Sequence, residues 1–409
     1  MMPPLMQERY DLLGRTLESR RINGNTVKQK LTSYKIETPS WGYGNSGTRF
    51  KVFKQPGAAR DVHERLADAA HVHKLTGACP TVAIHIPWDK VNDYEALKEK
   101  AHSLGIAIGA VNPNVFQDDE YKLGSLTNVD PAVREKALDH IVECISIAED
   151  VGSKILSLWF ADGTNYPGQG DIRRRKRWME EGLSKVYDKL LLDMRMLIEY
   201  KFFEPGFYHT DIADWGMAYT FSRNLGPKAQ VLVDLGHHPQ GTNVEHIVAF
   251  LMSEKKLGGF HFNDRKYADD DLTTGSINPY EIFLIFNEIL SAETDGLKPD
   301  IAYMVDQSHI IKPKLEAMIQ TVMNIQTAYA RALLVDRKAL RDTQESDDTV
   351  ECERILQTAY QTDVEPFLAH VRTEMGLHPD PIIAHRKSGY YEKIVRERVG
   401  ELKGAAGWG

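Results

Sequence analysis

The sequence predicts a closed (β/α)8 TIM barrel, and three observations carry that expectation. Eight short apolar or β-branched runs recur along the chain, helix-periodic stretches separate them, and polar residues gather at the C-terminal ends of the runs. Runs that are nearly continuous in apolar residues suit parallel strands buried on both faces, and eight of them alternating with helices favour a barrel over an open doubly wound sheet.

The elements follow in chain order. Residues 1–35 form an N-terminal segment that reads as helical from about 3 to 33. The first run is ETPSWGYG (37–44) and the second TVAIHIPWD (81–89), after which YEALKEKAHSLG has helical periodicity. The third run ends at Asn114 and precedes the helical stretch PAVREKALDHIVECISIAEDVG. KILSLWFADG (154–163), LIEYKFFEP (197–205) and AQVLVDLGHH (229–238) are the fourth to sixth, and NVEHIVAFLMSEKKLG follows the sixth as a helix. LGGFHFND (257–264) and DIAYMVDQSH (300–309) complete the set, so the barrel is expected over 36–320. The segments KLEAMIQTVMNIQTAYARALL and VECERILQTAYQTDVEPFLAHVRTEM are helix-periodic but too polar for a second core. Residues 321–409 are therefore expected to be a helical extension that contacts other subunits.

Fifty basic against fifty-eight acidic side chains give a net charge of −8, which offers no field for gathering nucleic acid or an anionic membrane surface. The first residues mix Glu8, Arg9, Asp11 and Arg15 into their apolar positions, unlike a signal peptide, and no apolar run is long enough to span a membrane. Cys79, Cys144 and Cys352 are widely spaced and odd in number, which fits reduced thiols in a cytoplasmic protein.

Chemistry-capable residues collect where a barrel enzyme keeps its active site. Glu199 and Lys201 share one face of the fifth run, the sixth ends in Asp234 and then His237, the seventh holds His261, and the eighth reaches Asp306. Singly, each reads as well as a structural ion pair, a core histidine or a helix cap. Together they aim three carboxylates and an imidazole at one spot, a concentration of charge that a divalent cation or protonation must relieve. Oxygen donors with one nitrogen suit Mn2+, Mg2+ or Co2+ better than a structural zinc. Asp269 and Asp271, two apart and on one face of an extended segment, can join His237 around a second cation with Glu199 bridging; Asp270 then turns away.

Lys201 beside such a centre can stabilise negative charge on a substrate oxygen, and metal-bound water can move protons, an inventory that suits aldose–ketose isomerisation. Trp41, Trp88, Trp159, Phe50 and His85 would add apolar walls and a hydrogen-bonding imidazole for a sugar.

The stretch Glu199-x-Lys201-x-x-Glu204-Pro205 resembles the corresponding signature of xylose isomerases, and VDLGHH, GFHFNDRKYADDDL and VDQSH bring the chain closer still to broad-specificity bacterial L-rhamnose isomerases. The resemblance implies a homotetrameric TIM barrel that uses Mn2+, or Mg2+, Co2+ or Zn2+, to interconvert L-rhamnose and L-rhamnulose, with D-allose and D-psicose as further substrates. It implies one cation on Glu199, Asp234, His261 and Asp306, and a catalytic one on His237, Asp269 and Asp271 with Glu199 shared. It also implies that Lys201 sits near the substrate carbonyl, that His85, Trp159 and Ser308 contact substrate, and that Phe50 enters a neighbouring subunit's pocket. The chain departs from xylose isomerases at Tyr200, where they carry proline, and in having Asp89 four residues after His85 instead of three, so their ring-opening pair does not transfer.

A sugar 3-epimerase on the same barrel is the alternative within this fold, and a metal-dependent phosphodiesterase or endonuclease the alternative outside sugar chemistry. The latter would use the basic run RRRKRW (173–178), which the following Glu180 and Glu181 and the net charge make a solvated helix start instead.

Overall fold

The computed structural model describes residues 2–20, 22–46 and 52–399. Eight parallel strands close on themselves: β1 (Glu37–Pro39), β2 (Thr81–Ile86), β3 (Ala107–Pro113), β4 (Ile155–Leu158), β6 (Arg195–Glu199), β8 (Ala229–Asp234), β9 (Leu257–Phe262) and β10 (Ala302–Val305). The last joins the first, with Glu37 opposite Met304. Two further strands of two residues each, β5 (Gly163–Thr164) and β7 (His209–Thr210), pair antiparallel in the loops that follow β4 and β6. The expected barrel is thus present.

Every strand stops short of the C-terminal end of the run that predicted it. The first run narrows to Glu37–Pro39 and then tightens into a 3-10 turn at Ser40–Tyr43. The fifth ends at Glu199, so Lys201 lies beyond the ladder, and the eighth ends at Val305, one residue before Asp306. A ladder persists only while neighbouring backbones stay in register, and the polar strand-end residues lie where the chain leaves its neighbours.

Helices cover the barrel because their apolar residues recur at helical spacing. The helix Pro279–Thr294 buries Ile282, Phe283, Ile285, Phe286, Ile289 and Leu290, and Phe286 meets Phe262 of β9 at a ring separation of 5.8 Å. Each such side chain contributes about 1.5–3 kcal/mol. Asp and Asn cap the helix starts; Asp93, Asp130, Asp171, Asp214 and Asn243 each accept a backbone N–H with a side-chain oxygen. Inside the barrel a smaller cluster of Trp41, Ala83, Ala110, Leu197, Leu232 and Met304 fills the lumen. Below it Glu37 is buried and accepts the Ala110 N–H at 2.9 Å. Glycine at position 109 leaves room for that carboxyl, since a Cβ there would lie 1.5 Å from Glu37 Oε2.

The N-terminal segment forms two helices, Pro4–Ser19 and Gly24–Ser33. After β10, the helix Lys314–Leu333 packs on Pro279–Thr294 and buries Leu315, Met318, Ile319, Val322 and Ile325, so this part of the expected extension completes the barrel's own helical layer. The later helices fold back on the same chain: His370 stacks on Tyr10 at 3.9 Å, and Arg398 pairs with buried Asp68 at 2.8 Å. No helix among the described residues is long and apolar enough to cross a membrane. Cys79 and Cys144 are buried, Cys352 is partly buried, and all three are free thiols.

Candidate metal centre and pocket

The strand ends on one half of the barrel converge. Glu199 is the last residue of β6 and Asp234 the last of β8, opposite His261 of β9, while Asp306 directly follows β10. Each of Glu199, Asp234, His261 and Asp306 offers an atom, and these four atoms lie within 4.8 Å of one another. His261 Nδ1 stands 3.2 Å from Glu199 Oε2 and 3.8 Å from both Asp234 Oδ2 and Asp306 Oδ2. In a second group, Asp234, His237 and Asp269, the donor atoms likewise lie within 4.8 Å of one another. There His237 Nε2 is 3.4 Å from Asp269 Oδ1 and 3.9 Å from Asp234 Oδ1.

The carboxylate common to both groups is therefore Asp234, one oxygen facing each, whereas the sequence reading gave Glu199 that place. Glu199 Oε1 does approach His237, but at Nδ1, 3.2 Å away, which also donates to the Tyr200 carbonyl at 3.0 Å. That bond fixes the ring so that Nε2 faces the two aspartates. Tyr200 itself is anchored by its hydroxyl, 2.6 Å from His238 Nε2.

Asp271 lines the pocket but falls in neither donor group. Its segment is not the extended one expected: Asp271 has φ +48°, in the left-handed region, and Leu272 turns back to pair with Asp264. The two carboxyls meet through this bend, Asp271 sharing a hydrogen bond with Asp269. Asp270 points elsewhere, as expected, but it is not idle, since its Oδ2 accepts the backbone N–H groups of Lys266 and Tyr267 at 2.5 and 2.7 Å and so shapes the loop.

The electrostatics are those of crowded, buried charge. Burial raises Asp271 well above the usual carboxylate range and the Asp269 charge adds to it. Burial opposes ionisation of Glu199 too, but His261 and His237 outweigh it and hold the carboxyl at about 2. Burial likewise disfavours charging His261, yet the surrounding carboxylates lift it to about 9. Lys201 lies between Glu204 Oε2 and Asp269 Oδ2, each at 2.5 Å, and these partners overcome burial and raise its pKa.

A divalent cation fits these donors. His261 Nδ1 is buried and makes no hydrogen bond of acceptable angle, although three carboxylates surround it, and both groups combine oxygen with imidazole nitrogen in the way hard-to-borderline cations accept.

Around the centre one pocket collects most of the remaining expected residues. Trp41, His85, Trp88, Trp159, Lys201 and Ser308 line it with Glu199, His237, His261, Asp269, Asp271 and Asp306. Trp41 donates its indole N–H to Asp306 Oδ1 at 2.8 Å, and His85 stacks on Trp88 at 3.8 Å. Burial depresses His85 to about 3, with the His140 and Arg65 charges adding to it, so the imidazole is neutral. Ser308 Oγ is 2.5 Å from Ser46 Oγ. Phe50 lies outside the described residues. Asn112, Phe116 and Glu204 also line the pocket and were not selected from sequence as site residues. Glu204 was within the quoted signature, and Asn112 ends a run, so signals existed for both.

Asp89 does not reach the His85 ring. Its Oδ2 accepts the His85 backbone N–H at 2.9 Å and Ser40 Oγ at 2.5 Å, and its Oδ1 pairs with Arg65 at 2.6 Å. The spacing of four residues places it beneath the turn as a structural anchor. The basic run at 173–178 finds partners inside the chain: Arg175 pairs with Asp211 at 2.7 Å, Lys176 with Glu180 at 2.6 Å, and Arg174 lies 4.6 Å over Trp178.

Comparison with known proteins supplies independent findings. Residues 72–289 match the family described as xylose isomerase-like TIM barrel. The chain is 46% identical over 406 residues to a protein of Rhizobium meliloti (strain 1021) named a probable sugar isomerase, covering 97% of this chain and 94% of that one. It is 25% identical over 306 residues to the L-rhamnose isomerase of Bacteroides thetaiotaomicron, covering 70% and 71% of the two chains. Among solved structures, an L-ribulose 3-epimerase superposes with a TM-score of 0.55 at 14% identity, over 74% of this chain and 98% of that one, a likeness of fold.

Proposed function

The chain belongs to the xylose isomerase-like TIM-barrel family, and from that premise we propose that it is a divalent-metal-dependent aldose–ketose isomerase converting L-rhamnose to L-rhamnulose, with D-allose and D-psicose as a second pair. The observation that carries the reading is the buried Lys201 ammonium, 2.5 Å from Asp269, beside two donor groups that share Asp234. Relatives named "probable sugar isomerase" at 46% and 42% identity support the reaction class, and the L-rhamnose isomerase at 25% supports the sugar.

Glu199, Asp234, His261 and Asp306 would hold one cation, and His237 and Asp269 with Asp234 the other, Asp271 acting beside it. Mn2+ is the cation this mixture of oxygen and nitrogen suits best, with Mg2+, Co2+ and Zn2+ the alternatives. Bound cations would supply Lewis acidity toward neighbouring sugar oxygens and a water of lowered pKa. The chain does the rest. Lys201 presents a fixed positive charge to the oxygen that becomes negative as the carbonyl moves between C1 and C2. Trp41, Trp88, Phe116 and Trp159 exclude water and offer faces to the sugar's C–H groups, and neutral His85 exchanges hydrogen bonds with a hydroxyl. Asp271, bent toward Asp269, is the carboxyl best placed to hold or release a proton at the second group.

The same reading takes the enzyme as a cytoplasmic homotetramer acting on a small sugar, without nucleic-acid or membrane partners. Its support is the acidic net charge, the three free thiols and the resemblance to tetrameric isomerases. A 3-epimerase is disfavoured, because inverting a carbon needs a base on one face and an acid on the other. The second glutamate lining the pocket, Glu204, is bound to Lys201.

The test is to strip the protein with a chelator and assay L-rhamnose, D-allose and L-mannose with and without Mn2+. Activity that returns with metal and is highest on L-rhamnose is expected; no isomerisation of any sugar under any metal refutes the reading.

A further inference from the structure

Of the basic run that opens the helix Ile172–Lys189, Arg175 is the buried member. Its guanidinium holds Asp211 through Nε, 3.1 Å from both carboxylate oxygens, and through Nη2, 2.7 Å from Oδ2. It also donates to the Leu123 carbonyl at 3.2 Å, to Thr127 Oγ1 at 2.7 Å and to the Gly163 carbonyl at 3.1 Å. One side chain thus joins the loops that follow β3, β4 and β6, yet it contributes nothing to the pocket wall.

What Asp211 holds gives this network its meaning. The Lys201 N–H donates to the Ile212 carbonyl at 3.0 Å, and the Lys201 carbonyl accepts from Thr210 Oγ1. Both peptide groups of Lys201 are therefore bound by the two residues that flank Asp211. The Asp211 N–H in turn donates to the Asp162 carbonyl at 2.8 Å. Asp162 is itself immobilised, its carboxylate accepting four hydrogen bonds from Ser125 and Thr127. A buried ion pair is weak evidence for stability but strong in setting geometry, because its directional bonds tolerate few arrangements.

We propose that Arg175, acting through Asp211, is a positioning residue for Lys201: it locks the Thr210–Ile212 segment whose backbone fixes the lysine, and so sets the ammonium against Glu204, Asp269 and the face of Trp159. The role in turnover rests on the reading of Lys201 under Proposed function; the role in holding Lys201 does not.

Arg175→Lys keeps the positive charge but not the planar fork of donors, Asp211→Asn keeps the size and removes the charge, and Arg175→Met keeps most of the length and removes charge and donors together. In the metal-loaded enzyme, kcat on the sugar that wild type isomerises is expected to fall about ten- to a hundredfold with KM within about twofold. Arg175→Lys is expected to retain more activity than Arg175→Met. Deuterium exchange followed by mass spectrometry should show peptides over 200–212 exchanging about tenfold faster, while those over β8, β9 and the helix Lys314–Leu333 stay as in wild type. Unchanged exchange over 200–212, an equal rise throughout the barrel, or loss of the folded state in both conservative variants overturns the proposal. If wild type isomerises no sugar, the isomerase reading fails, and the exchange pattern alone still decides whether the pair holds Lys201.

Discussion

Replacing Arg65 by methionine removes the cation that Asp89 faces in the interior. The two side chains are 3% and 0% exposed and meet at 2.6 Å. In the variant, Asp89 keeps its bonds from Ser40 Oγ and the His85 N–H but loses a charge-assisted one, and its negative charge stays buried without a counter-ion. Breaking a buried pair from one side costs about 3–5 kcal/mol, or two to nearly four orders of magnitude in the folding equilibrium. Arg65→Met/Asp89→Asn removes both charges, and an asparagine carboxamide oxygen can still accept from Ser40 or His85, so the double variant should recover more than half of the loss. Urea unfolding followed by tryptophan fluorescence measures both. A loss below about 1 kcal/mol in Arg65→Met, or a double variant no more stable than the single one, would refute the claim that Asp89 is held as a buried charge. Because Asp89 anchors Ser40 and the His85 backbone, sugar KM should rise in the single variant and return partly in the double.

Three further outcomes follow from the geometry. Asp271→Asn should abolish turnover while leaving the melting temperature and sugar binding near wild type, since Asp271 belongs to neither donor group; loss of the folded state on circular dichroism would contradict this. Gly109→Ala should cost about 1–3 kcal/mol by thermal melting, because its Cβ would fall 1.5 Å from buried Glu37 Oε2 and push that carboxyl aside, and an unchanged melting point would contradict the packing described. His85, depressed from an ordinary 6.5 to about 3, leaves the native state neutral while the unfolded chain takes up a proton, so its contribution is complete above about 6.5 and is lost as pH falls toward 3. His85→Gln should therefore flatten the fall of unfolding free energy between those limits by about one proton, roughly 1.4 kcal/mol per pH unit, and an unchanged slope would place the imidazole in water.

The sequence declared the barrel clearly because two different periodicities alternate along it, and both arise from burial: continuous apolar runs for strands covered on both faces, and stripes such as Ile282, Phe286 and Ile289 for helices. It also showed which strand ends bear carboxylate and imidazole. It could not show which carboxylate stands between the two groups, since whether Asp234 or Glu199 turns toward His237 Nε2 depends on the Tyr200 carbonyl fixing that ring, a contact between separate strand ends. Asp271 illustrates the same limit: alternation along an extended chain predicted the right neighbours, but a left-handed bend brings them together. At Asp89 the spacing was legible: four residues after His85 instead of three, it meets the His85 backbone N–H and Arg65 and not the imidazole ring. Arg175 was legible in principle. It lies on the stripe of Met179, Gly182, Leu183 and Val186, so helical periodicity marks it as inward-facing within a run that otherwise reads as solvated charge.

The ribbon of β5 and β7 ties the loop after β4 to the loop after β6. In a barrel of this kind the loops at the catalytic end set the chemistry, and a loop joined to no other can change without disturbing its neighbours. Here the two are stitched together, and Arg175 and Asp162 bind them to Ser125 and Thr127 of the loop after β3, so three loops move as one. A library that varies the length of one alone would unpair its partner, whereas one that keeps the ribbon and its bonds to the loop after β3, and varies only residues outside them, leaves Lys201 where it stands.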